Sequence, residues 1–185
     1  MSAIKAIEAN RAGGQVSDLL GAVKKMMGGT PNTFLVAAQA PSALESMVAQ
    51  FGATAHGTLK PKVRESIALA VAETNGCDYC LSAHAALAKG AGLSPEQIDD
   101  ARQAASDDAK TNAILRFSRE LVLTRGHPGA KAHSELRAAG VSDTEVLEIV
   151  TNVALNVFTN YLNLVAGTEI DFPILHAGQP GSKAA

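Results

Sequence analysis

Residues 60–89 read KPKVRESIALAVAETNGCDYCLSAHAALAK, and the fold class follows from how this stretch is punctuated. Pro61 stands near the start of a helix, where a missing N–H costs nothing. Val63, Ile67, Ala70 and Val71 then recur at helical spacing. Asn75-Gly76 breaks the helix, and a second one runs from about Cys77 to Lys89 until Gly90 and Gly92 stop it.

The same grammar extends in both directions. Upstream, residues 1–29 read as a loosely attached arm with a short helix around Val16 to Met27. Short helices follow over Thr33 to Ala40 and Pro41 to Ala55. Downstream, Ser94 to Gln97 and Ser142 to Glu145 are capping boxes, in which a hydroxyl and an acid or amide satisfy each other's free N–H groups. They open one helix to about Ala105 and a long one to Ala166, with helices over Asp108 to Thr124 and Ala130 to Ala139 between them. No convincing strand is present. The chain is rich in Ala, Leu and Val and has five Phe, two Tyr and no Trp, which suits helices better than sheets. We expect an all-α domain of seven or eight helices over residues 30–173 and a mobile tail over 174–185. A weak internal repeat pairs His84 to Ser94 with His133 to Ser142, Gly126 and Gly129 standing where the first copy has Cys77 and Cys80.

The 185 residues suit one domain. A formal net charge of −2 argues against a basic nucleic-acid surface. No stretch reaches the roughly 18 uncharged apolar residues of a membrane span; the nearest, Val146 to Ala166, is interrupted by Glu148 and four Asn. No signal-peptide run is evident at the start. We expect a cytoplasmic protein, in which two cysteines are catalytic, metal-binding or incidental rather than a structural staple.

Cys77, Cys80 and His84 fall within roughly 60° on one helix face, with Cys77 at the helix start, where free N–H groups and the macrodipole favour a thiolate. Such a pair lets one sulfur react with a hydroperoxide and the other close a disulfide on the resulting sulfenic acid, while a histidine handles the proton. Three other readings stay open: a zinc site on Cys77, Cys80 and His84, incidental buried cysteines, and a thiol redox sensor without turnover. A thioredoxin-type motif would follow a strand, and here a helix precedes it.

With these residues in view, the chain resembles the alkylhydroperoxidase D / carboxymuconolactone decarboxylase superfamily, in its peroxidase-related branch. The family pattern is a Glu, about a dozen residues, then Cys-x-x-Cys-x-x-x-His, met here by Glu65, Cys77, Cys80 and His84. The stretch from Phe158 to Asp171 is also similar to this branch. The resemblance implies that Cys80 attacks the peroxide, Cys77 resolves it, and Glu65 with His84 relays protons. Position at the helix start alone would favour Cys77 as the attacker. Glu73, nearer in sequence, competes with Glu65 for the acid's role. Tyr79 stands where well-known members carry a second His; a poor proton shuttle near neutral pH, it points to packing. Family decarboxylases generally lack the Cys pair, and a decarboxylase-like activity is the alternative.

The resemblance also implies a homo-oligomer, a trimer or hexamer. Asn152, Asn156, Asn160 and Asn163 form an amide stripe on the last helix, suited either to a subunit interface or to burial within one chain. No nucleotide-binding glycine motif is present, so electrons would come from an external thiol such as a lipoyl-carrying protein. No cofactor, metal, nucleic acid or membrane partner is expected. His56, His127, His133 and His176 lack sequence partners and read as structural or exposed.

Overall fold

The computed structural model describes residues 2–179, and among them all regular structure is helical: a 3-10 turn at Ala9–Arg11 and nine α-helices. These are α1 (Gly14–Met27), α2 (Asn32–Ala37), α3 (Pro41–Ala55), α4 (Pro61–Asn75), α5 (Asp78–Gly90), α6 (Pro95–Arg102), α7 (Ala109–Leu123), α8 (Ala130–Ala138) and α9 (Asp143–Ala166). Eight lie within residues 30–173, and α1 is the helix of the arm. Both capping boxes form, with Ser94 and Gln97 opening α6, and Ser142 and Glu145 opening α9.

α4 is the axis of the bundle. Its residues from Ser66 to Ala72 are buried without interruption, as expected of a helix that neighbours surround on every side. Small Ala side chains on three of those positions let α5, α6, α7 and α9 pack around it. α4 packs against both of its successors α5 and α6, and α7 against α8 and α9. The repeated order of elements therefore has a counterpart in packing.

A second cluster lies under the first three helices. Leu20 and Val23 of α1 pack with Phe34, Leu44 and Met47, and Phe158 and Leu162 of α9 close the cluster from below. The arm is therefore not loosely attached, because its apolar stripe completes this second core. The N–H groups of Ala3 and Ile4 also cap the carbonyl of Ala166 at the end of α9.

The tail is likewise held where it is described. Beyond Asp171 it crosses the start of α5. Asp78 accepts hydrogen bonds from His176 Nδ1 at 2.7 Å and Ala177 N–H at 2.9 Å. Ser82 Oγ receives Leu175 N–H at 2.9 Å, and Glu73 receives Gly178 N–H at 2.6 Å. Within residues 174–179 the tail expected to be mobile thus makes fixed contacts with α4 and α5; the remaining six lie outside the described residues. His176, read as structural or exposed, is part of this strap.

Under the strap, Arg102 is almost wholly buried. Its Nε donates to Glu73 at 2.9 Å, and its Nη2 to the carbonyl of His176 at 2.8 Å. Burying such a charge is tolerable only while it is paired. We expect Arg102→Met to cost about 3 kcal/mol, the lower end for a broken buried pair because Glu73 keeps its Gly178 bond and some water. Urea denaturation would measure it, and Arg102→Met with Glu73→Leu should recover most of the loss. A single-variant cost below about 1 kcal/mol would show the pair to be incidental.

By length and composition α9 is apolar enough to cross a membrane, and half of its most apolar window is buried inside the bundle. It is a core helix with two different faces. One carries the amide stripe, buried within the chain: Asn152 and Asn156 donate to carbonyls one turn back, and Asn160 accepts from Asn75 at 2.9 Å. The other leaves Leu147, Val150, Tyr161, Leu164 and Val165 exposed.

Candidate active site

The link between α4 and α5 sets the geometry of the two cysteines. Gly76 takes a left-handed conformation with φ +68°, which a residue with a Cβ adopts only at a cost. Its N–H bonds the carbonyl of Glu73, and that of Cys77 bonds Ala72. This is the Schellman arrangement that ends a helix sharply, and it delivers Cys77 to the start of α5. Cys77 sits one position earlier than the sequence suggested, capping the helix rather than opening its first turn. Its Sγ receives the N–H of Cys80 at 3.3 Å. The two sulfurs are joined as a disulfide, with Cα atoms 5.3 Å apart.

The two sulfurs differ in surroundings. Cys80 lines a pocket where α5 meets the second cluster, and Cys77 does not. The pocket is a small cavity of about 30 Å³, and its walls include Met27, Phe34, Met47, Phe51, Leu87 and Phe172. They come from the arm, α2, α3, α5 and the segment after α9, so the pocket exists only because the arm and tail are docked.

His84 lines the same pocket one turn beyond Cys80. Its Nδ1 lies 2.8 Å from Glu65 Oε2 on α4, and both side chains are largely shielded from water. The structure therefore brings together Cys77, Cys80, His84 and Glu65. Glu73 is not among them, being turned to Arg102 and the tail. Among the described residues no three of His, Cys, Asp or Glu are grouped as metal ligands would be.

Tyr79 fills a structural role at the pocket's edge. Its hydroxyl accepts from Thr33 N–H at 3.0 Å and donates to Asp171 at 2.8 Å, and its ring meets Phe172 edge to face. Burial, with the Asp171 carboxylate beside it, pushes the phenol far above its ordinary range. A hydroxyl so held is a clasp between α2 and the segment after α9, unfit to shuttle protons near neutral pH.

One polar contact was not foreseen. Asn163 Nδ2 donates to Cys80 Sγ at 3.4 Å, across 83 residues of sequence. The only sequence signal for it was membership of the amide stripe.

Comparison with known proteins bears on this geometry. Residues 41–122, which hold all four of these side chains, match the carboxymuconolactone decarboxylase family. No curated protein matches the chain. Among solved structures, an alkylhydroperoxidase AhpD core, an uncharacterized peroxidase-related protein from Ralstonia eutropha JMP134, superposes with TM-score 0.82 at 22% identity, covering 92% of each chain. An uncharacterized peroxidase-related protein from Silicibacter sp. TM1040 gives TM-score 0.76 at 20% identity over 96% of each chain. A Cys-to-Ala variant of the debrominase Bmp8 in complex with 2,3,4-tribromopyrrole gives 0.80 at 19% over 92% of each. These likenesses establish a shared fold along nearly the whole chain. With that shared fold and a family match confined to residues 41–122, the chain is similar to the alkylhydroperoxidase D / carboxymuconolactone decarboxylase superfamily.

Proposed function

We propose that the protein is a thiol-dependent hydroperoxidase in which Cys80 attacks, Cys77 resolves, and His84 with Glu65 moves the proton. The observation that carries this is that Cys80, alone of the two sulfurs, opens onto an apolar pocket that His84 also lines, with Glu65 hydrogen-bonded to that histidine. The Cys80 thiolate takes the outer oxygen of ROOH, the O–O bond breaks, and the departing alkoxide gains a proton from His84. Cys77 then displaces water from the Cys80 sulfenic acid, leaving the disulfide. An external dithiol, such as a lipoyl-carrying protein, restores both thiols by exchange. That cycle needs a reducing compartment, and we place it in the cytoplasm.

The test is a free-thiol count on reduced protein before and after one equivalent of cumene hydroperoxide. Loss of both thiols much faster than free cysteine supports the proposal; loss at the rate of free cysteine overturns it.

A second activity has some support. The pocket has three phenylalanines on its walls, and the debrominase neighbour holds a brominated pyrrole. A dithiol can supply two electrons to replace aryl bromide by hydrogen, releasing bromide and closing the same disulfide. Bromide release from tribromopyrrole, with no acceleration by hydroperoxide, would favour that reading.

The exposed apolar face of α9 supports a homo-oligomer. Leu147, Val150, Tyr161, Leu164 and Val165 recur along one side of the helix, and a second copy of the same face would bury them in an isologous contact. We expect Leu164→Asp with Val165→Asp to shift the assembly to the monomer mass in sedimentation while the circular dichroism spectrum holds. An unchanged mass would show that this face is not the interface.

A further inference from the structure

The pocket beside Cys80 is lined by Tyr79, His84 and Thr159 as well as by apolar side chains, and two further polar residues there leave hydrogen-bonding capacity unused. Asn163 is 4% exposed, and with Nδ2 given to Cys80 its Oδ1 is buried without a partner. Thr33 is 7% exposed, and its Oγ1 is likewise buried without a partner. Both residues line the pocket that Cys80 and His84 line. An unsatisfied buried polar atom is destabilising and calls for an explanation in each case. Here the two residues that carry such atoms line the same cavity, from positions 130 apart in the sequence.

Both residues are held at the pocket by contacts of their own. Asn163 sits on the long helix α9, and only its N–H₂ arm suits the sulfur, because a thiolate or disulfide sulfur offers no proton to a carbonyl. The carbonyl arm is therefore the one left over. The backbone of Thr33 is held in place, its N–H donating to the Tyr79 hydroxyl. Tyr79 is in turn anchored on Asp171. The clasp that replaces the family histidine thus also holds Thr33 at the pocket.

We propose that Asn163 and Thr33 form the polar subsite that orients the substrate: Asn163 Oδ1 accepts the O–H of the hydroperoxide, and the Thr33 hydroxyl is its second polar contact. This rests on the hydroperoxidase reading above. The O–H bond that Asn163 holds stays intact through the reaction. The terminal oxygen keeps its hydrogen as it passes to Cys80 to make the sulfenic acid, while the inner oxygen leaves with the alkyl group and takes its proton from His84. The same amide holds the sulfur by one arm and the attacked oxygen by the other, so it sets the approach of the two reacting atoms.

The experiment compares wild type, Asn163→Leu and Thr33→Val against two thiol reagents: cumene hydroperoxide, and methyl methanethiosulfonate, which carries no hydrogen-bond donor. Rates are read at the alkaline plateau, where the Cys80 thiol is ionised in every variant, so an altered thiol acidity does not enter. We expect each variant to lose about 10-fold or more with the hydroperoxide and to react with the thiosulfonate within about 3-fold of wild type. Equal losses with both reagents, or no loss with the hydroperoxide, overturn the proposal. Thr33→Val preserves shape and removes only the hydroxyl, and thermal melts of both variants verify that they fold. Wild type that reacts with cumene hydroperoxide no faster than free cysteine sinks the hydroperoxidase reading and this proposal together. Fast wild type with unselective variants sinks this proposal alone.

Discussion

Cys80→Ser is expected to lose peroxide consumption by about 10³-fold or more, while Cys77→Ser consumes one equivalent and stops with a trappable sulfenic acid on Cys80. The asymmetry follows from the two positions. Cys80 faces the pocket and Cys77 does not, so a peroxide that enters the pocket meets one sulfur only. Both variants should fold. Serine is a better helix cap than cysteine, so Cys77→Ser keeps the start of α5. At position 80, serine is nearly isosteric and its oxygen can still receive the Asn163 amide. Intact melts with divergent chemistry would therefore be a statement about mechanism. A sulfenic acid trapped on Cys77 in the Cys80→Ser variant would reverse the roles, and helix-start polarity would then be the stronger influence.

What the sequence revealed divides by the range of the interactions involved. Capping boxes at Ser94 and Ser142 involve residues three apart, and so does the disulfide pair. Such features are written in local spacing. The uninterrupted burial of α4 was less evident, because its run from Ser66 to Ala72 shows no amphipathic phase from which an inner face could be chosen. Glu65 meets His84 across 19 residues and between two helices. Local spacing could not choose it over Glu73; only the family pattern did, and Glu73 proves to serve Arg102 instead.

The features that escaped the sequence are long-range. Tyr79 reaches Asp171, and Asp78 reaches His176, over more than ninety residues, so a tail rich in Pro and Gly looked free although its polar groups have fixed partners. The arm looked loose for a related reason. Leu20 and Val23 form a short apolar stripe whose counterpart lies on α2, α3 and α9. The amide stripe of α9 was visible, but its direction was not: a helix apolar on most sides has no single phase, and tertiary packing decided that the amides face inward and Leu147, Tyr161 and Val165 outward. The pocket is assembled from all of these pieces, which is why its walls could not be listed from the sequence even though Cys80 and His84 stood out there.

Glu65→Gln and His84→Gln are each expected to slow thiol oxidation by about 10²- to 10⁴-fold, the usual range for removing a positioned acid–base group. The geometry makes them one unit. Glu65 Oε2 accepts the proton on His84 Nδ1 at 2.8 Å, which leaves Nε2 to take the thiol's proton and return it to the departing alkoxide. A glutamine at position 65 can present its N–H₂ to Nδ1 and so stabilise the tautomer that carries its proton on Nε2, the wrong one for a base. Its effect should therefore approach that of losing the imidazole itself. The double variant should be little worse than either single one, since groups acting in series are not additive. Rates measured against pH make the assignment specific: raising the pH should restore much of the loss in His84→Gln, because hydroxide ionises the thiol without help, leaving only the deficit in proton delivery to the leaving group. Losses that multiply in the double variant, or that persist unchanged at alkaline pH, would mean that Glu65 and His84 support the pocket's structure and do not act as a relay.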